Sequence, residues 1–470
     1  MSYQTALDRM YALGHELANT PSHKFDLEHM RRLLGALDYP ERRFPAVLIA
    51  GTNGKGSTAA TLASILRASG ANTALYTSPH LVRINERIRI NEEEISDDDF
   101  ALLHDEVDGV ADRLVASDAL PWHPSFFEML TAIAFLHFAR RKIDIAVLEV
   151  GMGGRLDATN VVDPWLSVIT DIALDHEKYL GYTVEEIARE KAGIIRPGGV
   201  VVILPQQPQA NDVIGSRIQE LGARAVSAVP YMPPVGPQSC TYFSRPARSL
   251  PSESPSGRGE AAKNESELNC DPVTSRYRLQ FMEREIAVET PLIGRHQYRN
   301  IALAIAAARE LARRGLRITP DSVERGLRAT RWRGRFQVLP AHGSEPEYVL
   351  DVAHNPAGAW ALRSTLSACY EGRRLLLIFG ALRDKAIGEM GDILFPLAER
   401  VLVTAVDNPR AASPEEIRQA VRVSVEMENV PNVGSALARV REHGAGEQVV
   451  VITGSIYLVG EAMRCLRVRI

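Results

Sequence analysis

Along the chain, short unbroken apolar runs alternate with stretches in which apolar residues recur every three or four positions. PAVLIA (45–50) predicts a buried strand, and the helical pattern STAATLASILRAS follows it after a glycine-rich turn. NTALYTS predicts a second strand and FFEMLTAIAFLHFARR a helix. DIAVLEV and LSVITDI read as strands, TVEEIAREKAGI as a helix and GVVVILP as another strand. Continuous apolar strands separated by amphipathic helices predict a parallel sheet with helices on its faces. RYRLQFMEREIAVETPL instead alternates with a period of two, as a short β-hairpin does. After it, NIALAIAAARELARRG predicts a helix ending near Gly315, and EYVLDVA, RLLLIFGA, RVLVTAV and EQVVVITGS predict further strands. The expected architecture is α/β throughout: a domain at 1–293 and a smaller Rossmann-like α/β domain at 294–470, hinged near 290–296.

A length of 470 residues agrees with two domains, being too long for one typical core. The stretch 228–275 breaks the pattern, being rich in Pro, Ser and Gly without apolar periodicity. Most of it is expected to be exposed, and 238–270 to be a flexible insert that the chemistry does not need. The net charge of -4, with 54 basic and 58 acidic residues interspersed, gives no basic field for nucleic acid and no polybasic membrane tether. No apolar run is long enough to span a bilayer, and the first residues lack a secretory pattern. Cys240, Cys270, Cys369 and Cys465 are far apart and read as free thiols of a reducing compartment. A cytoplasmic monomer acting on small molecules is the expectation.

The segment AGTNGKGST, between a predicted strand and a predicted helix, carries the first chemistry. Backbone N–H groups from Asn53, Gly54, Gly56, Ser57 and Thr58 and the helix start can cradle a polyphosphate. Lys55 can neutralise β/γ-phosphate oxygens, and the Ser57 hydroxyl can reach Mg²⁺. The first domain is therefore expected to be a P-loop mononucleotide-binding domain. The match is loose, because Ile49 takes the place of a first glycine and Gly56 separates Lys55 from Ser57. An ordinary glycine turn is the bland alternative. Glu149 ends a predicted strand, where ligands of open α/β sheets collect, and Asp175 and His176 end the next. His176 taken alone is more often a structural histidine. Lys191 shares a predicted helix face with Ile187 and Ile194/Ile195, a pattern that by itself favours a lysine snorkelling at a core edge over a functional one.

The chain resembles the Mur ligase superfamily, and within it the folylpolyglutamate synthase and dihydrofolate synthase branch. Beyond AGTNGKGST, the resemblance runs in order through SPHL (78–81), ERIRINEEEIS (86–96), FFE (126–128), EVGMGGRLDATN (149–160), LDHEKYLG (174–181) and EKAGII (190–195). It continues through GRHQYRN (294–300), WRGR (332–335), DVAHNP (351–356) and TGSIYL (453–458). It covers nearly the whole chain outside 228–275, and EVGMGGRLDATN is its most specific part. The resemblance implies ATP as co-substrate and two Mg²⁺ ions. Ser78, Glu149 and His176 are implied metal ligands, with Lys191 carbamylated and holding the second ion. It implies that Asn300, Arg335, Asp351 and His354 meet ATP from the second domain. The pterin substrate is implied near Arg155, Leu156, Asp157 and Ala158 and near Phe126 and Phe127, whose rings can sandwich a flat heterocycle or simply belong to a helix core. The implied reaction joins L-glutamate to dihydropteroate or a reduced folate. Lys55, His176 and Lys191 are the expected catalytic residues. Two positions depart from the family pattern: Val352 stands where glycine is usual, and Glu177 where a small or hydroxyl residue is usual.

Three other classes make different demands. A cell-wall Mur ligase carries a further domain ahead of the phosphate loop, for which about fifty residues are too few. A P-loop switch would hydrolyse ATP with no carboxylate acceptor. A binding module would leave Glu149, His176 and Lys191 without a purpose.

Overall fold

The apolar runs become strands of separate sheets in the computed structural model, which describes residues 1–14, 26–233, 241–242, 274–343, 345–442 and 448–468. The first sheet contains β1 (Ala46–Ala50), β2 (Thr73–Tyr76), β3 (Ile88–Ile90), β4 (Glu93–Glu94), β5 (Ile145–Glu149), β6 (Leu166–Ile169), β7 (Val200–Ile203) and β8 (Arg224–Ser227). Their order is β4-β3-β2-β5-β1-β6-β7-β8. β2 through β8 pair in parallel except where β3 and β4 form an antiparallel edge. β1 is central, with Ile49 opposite Glu149 of β5 and Val47 opposite Leu166 of β6.

Successive side chains of a strand point to opposite faces, and both faces of β1 are covered. Ala46, Leu48 and Ala50 pack under α1 (Tyr3–Ala12), α2 (Leu27–Ala36), α4 (Asp97–Ala116), α5 (Phe126–Arg140), α7 (Val184–Ala192) and α8 (Pro208–Glu220). The short α6 (Glu177–Leu180) precedes α7. Val47 and Ile49 pack on the other face, against α3 (Lys55–Ala68), α9 (Arg295–Arg313) and α10 (Pro320–Ala329). The predicted hairpin is β10 (Ser275–Phe281) and β11 (Arg284–Thr290), joined at its edge by β9 (Thr241–Tyr242). Along β10 the residues alternate buried and exposed, as the period-two pattern requires. Apart from β9, the 238–270 insert lies outside the described residues.

A six-stranded sheet forms the second domain, in the order β12 (Gln337–Leu339), β13 (Glu347–Leu350), β17 (Val449–Thr453), β14 (Leu375–Phe379), β15 (Arg400–Thr404), β16 (Glu426–Val430). All neighbours are parallel except β12, which is antiparallel to β13. α11 (Pro356–Cys369), α12 (Ile387–Leu394) and α13 (Pro414–Ala420) cover one face; α14 (Val433–Glu442) and α15 (Ile456–Cys465) cover the other.

The boundary expected at 293/294 is corrected by this packing. Ile301, Ile305, Val323 and Leu327 share one core with Val47, Ile65 and Val168. α9 and α10 therefore belong to the first domain, and the change of sheet falls between Ala329 and Gln337. An amphipathic helix declares that it has an apolar face; it does not declare which sheet will cover it.

Candidate functional site

The carboxyl ends of β1, β5 and β6 open onto a cavity of about 850 Å³ that residues from both domains line. After β1 the chain passes through Gly51–Gly54 and enters α3 at Lys55. Thr52 and Asn53 are pinned, both N–H groups donating to the Asp171 carbonyl after β6 (2.8 and 3.1 Å). Gly54 has φ +90°, and a Cβ there would stand 2.1 Å from Asn300 Oδ1, so glycine is required twice over. Lys55 Nζ folds back to donate to the carbonyls of Gly51 (3.1 Å) and Thr52 (3.2 Å). Gly56 lies under the Trp332 ring, and Ser57 and Thr58 are buried in the first turn of α3.

Glu149 ends β5 beside this loop, buried, accepting from Ser78 N at 3.2 Å. Burial pushes its carboxyl pKa up against the charge of Lys55. Lys191 is also buried, lines the same cavity, and donates from Nζ to the Gly51 carbonyl at 2.8 Å. Burial and the nearby Lys55 bring its ammonium down to about 7. A capping box at Thr183 and Glu186 starts its helix. A close glycine contact ends it: a Cβ at Gly154 would meet the Glu190 carbonyl at 2.9 Å, and one at Gly193 would meet Arg155 Cβ at 2.5 Å. The glycines of EVGMGGRLDATN thus let the loop after β5 lie against the end of α7, where Lys191 is carried. His176 adopts φ +52° immediately before α6 and faces the cavity, with burial lowering its pKa to about 4. Glu177 is exposed at the first position of α6.

The expected substrate residues all line the cavity. Phe126 belongs to the core as well, stacked on Tyr11 with centroids 6.0 Å apart and with Arg87 5.4 Å from its ring centre. Phe127 is partly buried, its ring covering Gly151. Arg155 is tied outward to Glu190 (2.9 Å). Asp157 turns inward, accepting from Met152 N (3.0 Å) and Thr159 N (3.0 Å), so its carboxylate shapes the loop that presents Leu156 and Ala158. Beneath, His29 of α2 stands 3.0 Å from Glu128 Oε1 and 3.0 Å from the Trp122 carbonyl. With an oxygen at each nitrogen, both ring N–H donors have partners in the charged form, and the bond to Glu128 favours that form.

From the second domain, Arg335, Asp351 and His354 reach the cavity. Asp351 is held by N–H donors from Phe336 (2.8 Å) and Ala353 (2.9 Å). Asn300 was expected on this side, but α9 places it in the first domain, against Gly54. Val352 points into the second-domain core, its Cγ1 3.0 Å from where a Cβ of Gly334 would be. Sequence reasoning missed the polar bridge across the cleft. Asp175 of the first domain accepts from Lys385 Nζ at 2.7 Å and from Asn355 Nδ2 at 3.2 Å, with His354 Nε2 at 3.6 Å. Asn355 also donates to Asn53 Oδ1 (3.0 Å). Burial alone would raise the Asp175 pKa, but His354, His176 and Lys385 hold it well below the usual carboxylate range. Lys385 follows β14 by six residues, and its position past the carboxyl end of a parallel strand was the available signal.

No three His, Cys, Asp or Glu side chains converge as a metal cage among the described residues. Mg²⁺ needs none: it takes one or two carboxylates and fills its octahedron with water and phosphate oxygens. Glu149 with the hydroxyls of Ser57 and Ser78 fits that demand. Lys191 as an ammonium is a donor and does not fit a ligand position in that form.

Two family models match the chain: the Mur ligase middle domain over residues 49–227 and the Mur ligase, glutamate ligase domain over 334–456. A phosphate loop at the centre of one sheet, faced across a cleft by a second α/β domain, is the build of an ATP-dependent ligase of the Mur type, and this chain is one. It is 33% identical over 444 residues to the dihydrofolate synthase/folylpolyglutamate synthase of Bacillus subtilis, covering 94% of this chain and 95% of that one. The chain belongs to the folylpolyglutamate synthase/dihydrofolate synthase family. A Mycobacterium tuberculosis folylpolyglutamate synthase solved with ADP and AMPPCP superposes with a TM-score of 0.81 at 30% identity, covering all of both chains. A further solved complex, of a folylpolyglutamate synthase with AMPPCP and folate, gives 0.77 at 30% identity over 99% of this chain and all of the other. The match to the second family model starts at residue 334, beyond α10.

Proposed function

We propose that the enzyme transfers the γ-phosphoryl group of ATP to the carboxylate of dihydropteroate or a reduced folate and then joins that carbon to the amino group of L-glutamate. The observation that carries this reading is the lining of this cavity. The phosphate loop and the apolar side chains of Phe126, Phe127, Leu156 and Ala158 line the same space, with Glu149 and Lys191 at its wall. A nucleotide switch has no use for these apolar side chains beside its phosphate loop. The folate complex of a family member supports the same acceptor class.

In this reading Lys55 swings from the Gly51 and Thr52 carbonyls to the β/γ-phosphate oxygens, and the N–H groups of residues 53–58 hold the polyphosphate at the α3 start. Arg335 supplies a guanidinium fork from the opposite side. Mg²⁺ bound at Glu149, Ser57 and Ser78 would offset phosphate charge. Attack by the acceptor carboxylate releases ADP and leaves an acyl phosphate. The glutamate amine then adds to the acyl carbon, loses a proton, and phosphate departs as the amide forms. Closure of the second domain keeps water from the acyl phosphate. We assign Lys191 as the carbamate-bearing lysine: with its ammonium lowered to about 7, a large share is free amine at pH 7 and can attack CO₂, and the product would be an anionic oxygen donor in the cavity wall.

Purified protein incubated with ATP, L-glutamate and each pteroate or folate acceptor tests the reading. The expected result is a product heavier by one glutamyl residue with stoichiometric ADP. ATP hydrolysis that no acceptor alters, with no new product mass, would overturn it.

A further inference from the structure

The loop that carries Ser78 is anchored at both ends. At one end Ser78 N donates to Glu149. At the other, Leu81 and Val82 leave the first domain and pack into the core of the second, beside Val352, Val459 and Met463. Between these ends the loop is held by one buried carboxylate. Glu86 accepts from the N–H groups of Leu81 (2.9 Å), Val82 (2.7 Å) and Arg83 (2.7 Å). Arg87, whose guanidinium lies against Phe126, donates from Nε to His80 Nδ1 (2.8 Å).

The seat for this loop is the middle of α15. A Cβ at Gly460 would stand 2.0 Å from the Leu81 carbonyl oxygen and 2.9 Å from its carbon. Only a hydrogen fits there, so backbone meets backbone. A glycine inside a helix costs about 1 kcal/mol relative to alanine, and the close approach supplies a reason for it. The same helix begins at the cavity: Ser455, Ile456 and Tyr457 line it. Gly334, at φ +67°, completes the seat, with Leu81 Cδ2 3.4 Å from its Cβ position.

We infer that Leu81 and Gly460 are positioning residues, and that their contact is a strut through which docking of the second domain sets Ser78 against Glu149. The inference rests on the ligase reading above only for what Ser78 and Glu149 then do. Undocking α15 removes the support at Leu81 and Val82, and the loop has freedom to carry Ser78 off Glu149. Docking restores both the cavity wall at Ser455 and the Ser78–Glu149 contact in one movement. The second domain thus acts on the Ser78–Glu149 side of the site through this loop, in addition to its direct contacts at Asn53 and Asp175.

The test is Gly460→Ala, examined by steady-state ligation, thermal unfolding and a crystal structure of the variant. The expected result is a folded protein with kcat lower by about 10- to 100-fold, as for a misplacement near 1 Å. In its crystal structure the loop 78–82 is displaced and the Ser78–Glu149 bond is broken. Glu86→Gln carries the same test without touching α15, and holds if Gly460→Ala fails to fold. The double variant loses little more than the worse single one, because both act on one loop; two independent structural lesions would multiply. A kcat within twofold of wild type in either folded variant, or a loss of kcat with the Ser78–Glu149 bond intact, would overturn the inference. Failure of wild-type protein to form product would count against the ligase reading alone, since the displacement is read from the structure.

Discussion

On the first-domain side of the cleft, Lys55, Glu149 and His176 stand within a few residues of central strand ends, and Lys191 sits on a helix locked by Gly154 and Gly193. On the second-domain side, Asp351, His354 and Lys385 follow strands of a separate sheet, and Arg335 stands in the segment just before its first strand. That sheet meets the first wall through side chains such as Lys385 and Asn355 and through the Leu81 contact. One wall inherits its geometry from a shared core, and the other must find its place by docking. The difference leaves the first wall fixed by its own core and the second dependent on its docking contacts.

Removing the phosphate-loop cation strikes the rigid wall hardest. Lys55→Ala is expected to cut ligation by about a thousandfold with an unchanged melting temperature, because this charge acts in the transition state. Near-normal product formation by the folded variant would break the comparison at its strongest point. Lys191→Ala is expected to lose about a hundredfold or more. Lys191→Arg does not restore it, since a guanidinium cannot take up CO₂. Partial rescue of the alanine variant by acetate or formate, scored as product per minute, sharpens the carbamate assignment.

The docked wall gives a smaller effect. Lys385→Met removes the cation that bridges to Asp175, both groups being about one-tenth exposed. Ligation is expected to fall about 10- to 30-fold, roughly 1.4–2 kcal/mol, with the melting temperature nearly unchanged. A drop of many degrees in melting temperature would show that this bridge supports the fold and not merely closure.

The smallest effect concerns stability alone. Burial alone would lower the His29 pKa, but its bond to Glu128 outweighs this, and the folded value lies above the ordinary 6.5. A raised folded pKa gives stabilisation that is complete below pH 6.5 and lost as pH climbs through the folded value. The difference in unfolding free energy between wild type and His29→Gln is therefore expected to be about 1–2 kcal/mol near pH 5.5 and to shrink with rising pH. A difference that is flat from pH 5.5 to 9 would mean that His29 is not charged in the folded protein.

Much of the rigid wall was legible in the sequence, since strand, turn, glycine and helix follow one another within a few dozen residues. Glu149 and His176 were found because each ends an apolar run. The docked wall was harder to read. Lys385 and Asn355 meet Asp175 across roughly two hundred residues of chain, and no local pattern encodes that. Gly460 reads in sequence as an unexplained helix glycine, because its partner is a backbone carbonyl 379 positions earlier (460 minus 81). The domain boundary was misplaced for the same reason: α9 and α10 are amphipathic whichever sheet receives them.

Because α10 ends at Ala329 and β12 begins at Gln337, only seven residues, 330–336, link the two domains after α10. Fully extended, they reach about 25 Å. The linker is also furnished, with Trp332 lying over Gly56 and Arg335 in the cavity. An opened second domain therefore stays a leashed reactant, present at the first at an effective concentration in the millimolar range. Opening far enough to admit substrate and recapturing the phosphate loop become moves of a single short lever, and a change in its length would also shift Trp332 and Arg335 at the site.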